Sequence, residues 1–309
     1  MSLLLVAPNR NLKALKEAIL EEDPNIEIDI WPAISNKEKV NFAVCWKHPD
    51  HLLGQLPNLQ AVSSLGAGVN HLLNDDGISE NTKLCRIVTP TLKEQIADYV
   101  LNAISNYRHH TLQYITDKKN SRWEQQYTLL KKNCTPGIMG LGEMGLSVAS
   151  LLVKNGYQVN GWSNSKKEIE HITSYAGEEE FEAFLNDTNI LICLLPLTQE
   201  TKDILDLSVF QKLKQPAYLI NVGRGEHLVE EDLIYALDTE TLDGACLDVF
   251  NEEPLPAKHT FWNRSNIMIT PHIAAVTPPE EAAPIIVENY KRTLSGMELK
   301  NEVDRKRGY

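Results

Sequence analysis

From its first residues the chain alternates short apolar runs with segments in which apolar positions recur every three or four residues. The first series of runs is LLLVAP (3–8), IEIDIWP (26–32), FAVCW (42–46), LQAVSSLG (59–66) and LCRIVTP (84–90). Short runs of this kind, separated by amphipathic or polar stretches, predict strands joined in β-α-β units and hence a parallel sheet. QIADYVLNAISNYRHH (95–110) predicts a helix, and a polar stretch through Asn133, holding Trp123, follows it. A second series then begins: PGIMG (136–140), YQVNGW (157–162), NILICLLP (189–196), PAYLINVG (216–223), DGACLDVF (243–250) and NIMITPH (266–272). Six strands are what a full doubly wound dinucleotide domain requires. EEAAPIIVENYKRTLSG (280–296) predicts a last helix before a charged tail ending in VDRKRGY. The expected organisation is a nucleotide domain over residues 98–276, inserted between residues 1–97 and 277–309 of the other domain. Two crossing connections would then form a hinge, with a cleft between the domains.

Composition narrows what such a chain can do. Its 309 residues are 42% hydrophobic and 23% charged, ordinary values for globular domains, which exclude disorder, collagen and coiled coil. Thirty Lys and Arg against 42 Asp and Glu give a net charge of -12, so neither nucleic acid nor an anionic membrane is an expected partner. Any anionic ligand must be held by a few placed groups, and positive potential should be confined to the cleft. Cys45, Cys85, Cys134, Cys193 and Cys246 are scattered without a C-x-x-C, which indicates neither zinc nor a disulfide framework, and no metal is expected. Reduced thiols fit a cytoplasmic protein. Leu3 to Ala7 is too short for a signal sequence, and no apolar run approaches the ~20 residues of a membrane span.

Gly140-Leu141-Gly142-Glu143-Met144-Gly145 lies between a predicted strand and the helical pattern LSVASLLVKNG. In that context the glycines suit a dinucleotide: Gly140 for the tight turn, Gly142 for close approach of a pyrophosphate, Gly145 for helix packing. The helix N-terminus supplies unpaired N–H groups to the diphosphate. The next strand ends Gly161-Trp162-Ser163-Asn164-Ser165-Lys166-Lys167, without the carboxylate that holds a ribose 2'-hydroxyl in NAD sites. Small polar groups followed by two cations suit a 2'-phosphate, so NADP(H) is the expected cofactor, with NAD(H) possible. Alternatively, the two lysines open a solvated helix.

Three further segments fall where strands of the second series end, the edge at which open α/β sheets bind ligands. They are Asn221-Val222-Gly223-Arg224-Gly225, Leu247 to Pro256 with Asp248 and Glu253, and Thr270-Pro271-His272-Ile273-Ala274-Ala275. With these, SSLGAGVNHL, IADYVL and LLPLTQET, the chain resembles the D-isomer-specific 2-hydroxyacid dehydrogenase family over essentially its whole length. The Trp46 segment AVCWKHPD, GWSNSKK, MITPHIAAVT and the terminal VDRKRGY are most similar to its glyoxylate/hydroxypyruvate reductase A branch. Relatives often carry an arginine where this chain has Asn164, and Glu where Asp98 precedes Tyr99.

The resemblance implies a Rossmann-type dinucleotide domain inserted in a flavodoxin-like α/β substrate domain, a homodimer, and NADPH-dependent reduction of glyoxylate to glycolate and hydroxypyruvate to D-glycerate. It implies that Arg224 holds the substrate carboxylate, that His272 donates the proton and that Glu253 orients the imidazole, with Glu252 the nearest mistaken identity. Residue chemistry agrees: a planar bidentate cation, a side chain titrating near neutrality and a carboxylate partner. Cofactor contacts are implied for Gly140, Gly142, Glu143, Met144, Gly145, Ser163, Asn164, Lys166, Leu195, Pro196, Val222, Gly223, Arg224, His272 and Ala274. Asp248 either approaches the nicotinamide amide or serves as a structural strand-end acid. Gly66, Ala67 and Gly68 would form an anion nest for the substrate carboxylate, and Trp46 either walls a small pocket or belongs to the core. Other readings are a dehydrogenase for a different 2-oxoacid, or a non-catalytic NAD(P)(H)-sensing co-regulator.

Overall fold

The computed structural model describes residues 1–8 and 10–305; Asn9 and the last four residues of the VDRKRGY motif lie outside them. In chain order the elements are β1 (Ser2–Val6), α1 (Lys13–Glu22), β2 (Glu27–Ile30), β3 (Val40–Cys45), β4 (Ala61–Ser64), α2 (Asn70–Leu73), β5 (Lys83–Arg86), α3 (Pro90–Arg108) and α4 (Thr111–Lys119). There follow β6 (Pro136–Met139), α5 (Glu143–Lys154), β7 (Val159–Ser163), β8 (Ile172–Ala176), α6 (Phe181–Asn186), β9 (Ile190–Cys193) and α7 (Leu207–Gln211). The chain ends with β10 (Tyr218–Asn221), α8 (Glu230–Asp238), β11 (Gly244–Leu247), β12 (Ile267–Ile269) and α9 (Pro279–Leu294). It forms two compact units, one of Met1–Leu92 with the segment from Val276 onward, the other Lys93–Ala275.

In the first unit five strands pair in parallel in the order β2-β1-β3-β4-β5, the flavodoxin-like arrangement. Alternation along β1 shows why its apolar run is unbroken. Leu3 and Leu5 face a core shared with Ile19 of α1, while Leu4 and Val6 face the opposite core with Leu53 and Leu72. The returning helix α9 buries Ala282, Ala283, Ile286, Val287 and Tyr290 on the first of these cores. Those residues form one helical face, which ties the end of the chain to its beginning.

In the second unit seven parallel strands run β12-β11-β10-β9-β6-β7-β8, the doubly wound dinucleotide arrangement of six strands from β8 to β11 with β12 added beyond β11. Leu191 and Cys193 of β9 face one core with Leu219 and Leu247, and Ile190 and Ile192 face the other with Val148 and Leu152 of α5. The sequence reading missed β8. Its residues ITSYA lie at the sheet edge, only partly buried, and offer no apolar run. The helix expected at 95–110 begins earlier, with Pro90 at its first turn, and stops at Arg108. Among the described residues no helix is long and apolar enough to cross a membrane, and all five cysteines are buried and unpaired.

Candidate active site

Strand β6 delivers the glycine loop. Gly140 has φ +103°, and a Cβ there would stand 2.9 Å from the Leu194 carbonyl oxygen. A Cβ on Gly145 would stand 1.9 Å from the Gly140 oxygen, because the first turn of α5 packs on the loop. Gly142, the cap of α5, differs: nothing lies within 4 Å of its added Cβ. The outer glycines are therefore required by the protein itself, whereas the middle one keeps space open over a helix N-terminus. That space fits the pyrophosphate of a dinucleotide. Glu143 is exposed and ion-paired with Lys93, while Met144 packs partly buried on the core beneath.

At the end of β7, Ser163 donates from Oγ to the Ser165 carbonyl at 2.9 Å, and Asn164 is exposed. Lys166 and Lys167 lie in an irregular segment and open no helix. Lys166 Nζ is 2.8 Å from both oxygens of Glu180, a partner invisible in the sequence, which holds the Glu180 carboxyl below its ordinary value. Lys167 Nζ donates to the Leu141 carbonyl within the glycine loop. Lys167 thus draws a cation toward the loop, while Lys166 is already offset by a carboxylate.

Arg224 follows β10 in a turn held from several sides. Asn221, fully buried, donates Nδ2–H to the Arg224 carbonyl at 3.0 Å and accepts Gly223 N–H at 3.1 Å. Gly225 lets the turn close on the next loop, since a Cβ there would be 1.9 Å from the Phe250 carbonyl carbon. His227 accepts Arg224 N–H on Nδ1 at 3.0 Å, so its proton is on Nε2, which donates to the Pro196 carbonyl at 3.3 Å. It is fully buried, and burial pushes its pKa down to about 4. A neutral His227 thereby ties the Arg224 turn to the Leu195-Pro196 loop after β9. Val222 and Leu195 are both buried beside it. Burial lowers the Arg224 guanidinium from its usual value, opposed by the charges of Glu226 and Glu253.

His272 and Glu253 meet. The imidazole donates Nδ1–H to Glu253 Oε2 at 2.8 Å, and Glu253 Oε1 accepts Phe250 N–H at 3.1 Å. This bond fixes the tautomer and turns Nε2 away from the carboxylate. Both side chains are partly open, 22% and 16% exposed. His272 has φ +54°, a left-handed conformation that costs about 1–3 kcal/mol in a non-glycine residue and is found where surroundings enforce it. The enforcement is visible: His272 N–H donates to the Asp248 carbonyl at 2.8 Å, and the Asp248 carboxylate accepts from Thr270 Oγ1, Ile273 N and Ala274 N at 2.6, 2.8 and 2.9 Å. Asp248 is buried, which raises its pKa, while those bonds pull it down. It acts as the holder of the His272 segment. Tyr99 of α3 completes the network through its hydroxyl, 2.5 Å from Thr270 Oγ1.

In the first unit, Gly66-Ala67-Gly68 follow β4. The carbonyls of Gly66, Ala67 and Gly68 accept from Ile87 N, Arg86 Nη1 and Ser64 Oγ at 3.2, 3.4 and 2.6 Å. Each carbonyl shares a trans peptide with the next N–H, so pinning three carbonyls turns the N–H groups of Ala67, Gly68 and Val69 the opposite way. Trp46, just past β3, packs on this loop: a Cβ on Gly66 would meet its Cζ3 at 3.2 Å. The His71 ring lies 5.5 Å from Trp46, and the Arg10 guanidinium carbon stands 4.5 Å from the indole centre. Sequence reading missed Arg10, His227, Tyr99 and Glu180. His227, three residues beyond Arg224 in the same turn, and Tyr99, inside IADYVL, stood at recognisable motifs; Arg10 and Glu180 did not.

The profile of the D-isomer specific 2-hydroxyacid dehydrogenase NAD binding domain matches residues 101–274. Glyoxylate/hydroxypyruvate reductase A of Photorhabdus laumondii is 37% identical over 291 residues, 93% of each chain, and that of Yersinia enterocolitica is 35% identical over the whole of both. Among solved structures, a D-isomer specific 2-hydroxyacid dehydrogenase of Xanthobacter autotrophicus in complex with NADPH is 31% identical with a TM-score of 0.92, covering 100% of this chain and 99% of that one. An NADPH-dependent glyoxylate/hydroxypyruvate reductase of Sinorhizobium meliloti in complex with NADP and sulfate has the same identity and TM-score and covers both chains completely. The chain belongs to the D-isomer specific 2-hydroxyacid dehydrogenase family.

Proposed function

We propose that the protein reduces glyoxylate to glycolate and hydroxypyruvate to D-glycerate with NADPH. The observation that carries this reading is the His272–Glu253 pair at 2.8 Å, with Arg224 close enough to feel the Glu253 charge. A bound reduced nicotinamide supplies hydride to the substrate's C2. His272 donates a proton from Nε2 to the carbonyl oxygen as charge builds there, and Glu253 stabilises the imidazolium before transfer. Arg224 holds the carboxylate through its fork of donors and polarises the carbonyl. In the first unit the converging N–H groups of the Gly66–Gly68 loop would bind a carboxylate, and Trp46, packed on that loop, would limit the size of what binds there.

Gly140, Gly142 and Gly145, with Glu143 and Met144 opening α5, would hold the pyrophosphate. Ser163, Asn164, Lys166 and Lys167 would hold the 2'-phosphate, and Leu195, Pro196, Val222, Gly223 and Ala274 would line the nicotinamide end. Preference for NADPH is supported by the absence of a carboxylate after β7 and by relatives whose structures contain NADP or NADPH. We further propose a homodimer built on the second unit, where Trp123, Tyr127 and Leu130 are 101%, 92% and 55% exposed on one extended segment. A cytoplasmic location is supported by five unpaired thiols.

A steady-state matrix of glyoxylate, hydroxypyruvate and bulkier 2-oxoacids against NADPH and NADH tests the reading. The highest kcat/KM is expected for the two small oxoacids with NADPH. Preference for NADH, or for a bulky oxoacid, would overturn it. Sedimentation of the wild type and of Trp123→Ala/Tyr127→Ala tests the dimer, the expected result being a dimer that the double variant converts to monomer.

A further inference from the structure

The first sheet, in the order β2-β1-β3-β4-β5, has its topological switch point between β1 and β3, where open α/β sheets bind ligands. The segment after β1 carries Arg10 and the one after β3 carries Trp46. Their side chains stack, with the guanidinium carbon 4.5 Å from the indole centre. Arg86, Arg108, Arg264, Arg292 and Arg305 each give their guanidinium to a carbonyl or a carboxylate. Among the described residues Arg10 has no such acceptor, although it is half-buried. Stacking on an aromatic face compensates part of the desolvation and leaves the N–H donors directed outward in the guanidinium plane. Such a group suits a ligand acceptor.

The Gly66 loop touches the same indole. Arg10 and the loop thus share one aromatic neighbour, Trp46, which sets a guanidinium and a candidate carboxylate nest around the same ring. Glyoxylate offers only its carboxylate and the reacting carbonyl, and the reductase reading already assigns both. Hydroxypyruvate has one more oxygen, on C3, and Arg10 is a donor with no assigned partner. We infer that Arg10 determines substrate class by donating hydrogen bonds to an oxygen on the third carbon, so that the site favours 3-oxygenated 2-oxoacids over glyoxylate. This inference rests on the reductase reading.

The test is kcat/KM for hydroxypyruvate, pyruvate and glyoxylate at saturating NADPH, in the full-length wild type, Arg10→Met and Arg10→Lys. Ratios taken within one preparation cancel any difference in folded fraction. Arg10→Met should lower the hydroxypyruvate-to-glyoxylate ratio by about 10- to 100-fold, the range for losing a hydrogen bond to a charged group. Arg10→Lys, which keeps a cation but not the fork, should restore part of it. The pyruvate-to-glyoxylate ratio, which involves no C3 oxygen, should move by less than about threefold. An unchanged hydroxypyruvate ratio in Arg10→Met would overturn the inference, as would a pyruvate ratio that falls equally far. A wild type that reduces none of the three would instead overturn the reductase reading, and this inference with it.

Discussion

The two shortest histidine–carboxylate pairs among the described residues are nearly equal in length, and of these two one has the setting for catalysis. In the first unit His48 Nε2 is 2.9 Å from Asp75 Oδ2, with side chains 2% and 1% exposed. In the second, His272 Nδ1 is 2.8 Å from Glu253 Oε2, with side chains 22% and 16% exposed. His48 has its other nitrogen sealed in the interior without a partner among the described residues, and Asp75 spends its remaining oxygen on the N–H groups of Gly77 and His51. His272 stands in a left-handed turn, at a strand-end edge shared with Arg224 and the glycine loop. Access and neighbours make a site of the second pair, while the first is a structural cross-link.

His48→Leu should remove the partner of a buried carboxylate and lower stability by about 3 kcal/mol or more, read by urea unfolding, without lowering turnover per folded molecule. A variant that keeps its stability but loses turnover would reverse the comparison. In the second unit, Arg224→Met removes a donor to developing charge and should cost about 10²- to 10³-fold in kcat/KM for both oxoacids. A loss below tenfold would separate Arg224 from the chemistry.

His227 sharpens the comparison through pH. Its pKa of about 4 in the fold lies below the ordinary value of 6.5, so between these pH values the unfolded chain takes a proton that the folded chain refuses. Stability is therefore fully present above pH 6.5 and falls as pH drops toward 4, by about 3 kcal/mol from this residue. His227→Gln, which keeps an acceptor but cannot titrate, should show a shallower decline over that window; equal slopes would contradict the assignment. Gly142→Ala gives the smallest effect, with unchanged urea midpoint and KM for NADPH raised about tenfold, because its Cβ meets no protein atom and occupies ligand space. Gly145→Ala, with its Cβ 1.9 Å from the Gly140 oxygen, should instead disturb the loop itself.

These contrasts also show what one chain of letters encodes. Strands buried on both faces announce themselves as apolar runs, and the edge strand β2 by its alternating isoleucines, so that eleven of the twelve strands among the described residues could be read. β8, half-exposed at an edge, could not. Glycines, Arg224, Glu253 and His272 were legible because motif spacing is local. Pairings were not: Glu180 lies 14 residues from Lys166, and Trp46 meets Arg10 across two adjacent parallel strands. A lone arginine before a helix carries no periodic signal, and its meaning appears only when the sheet order sets it at the switch point.

The central claim is that the partly open dyad performs the proton transfer. Single-turnover oxidation of bound NADPH by saturating hydroxypyruvate, comparing wild type with His272→Gln, measures this step apart from substrate affinity and product release. The account predicts a rate constant about 10²- to 10⁴-fold lower in the variant, the range of a positioned general acid. A variant that transfers hydride at the wild-type rate would contradict it.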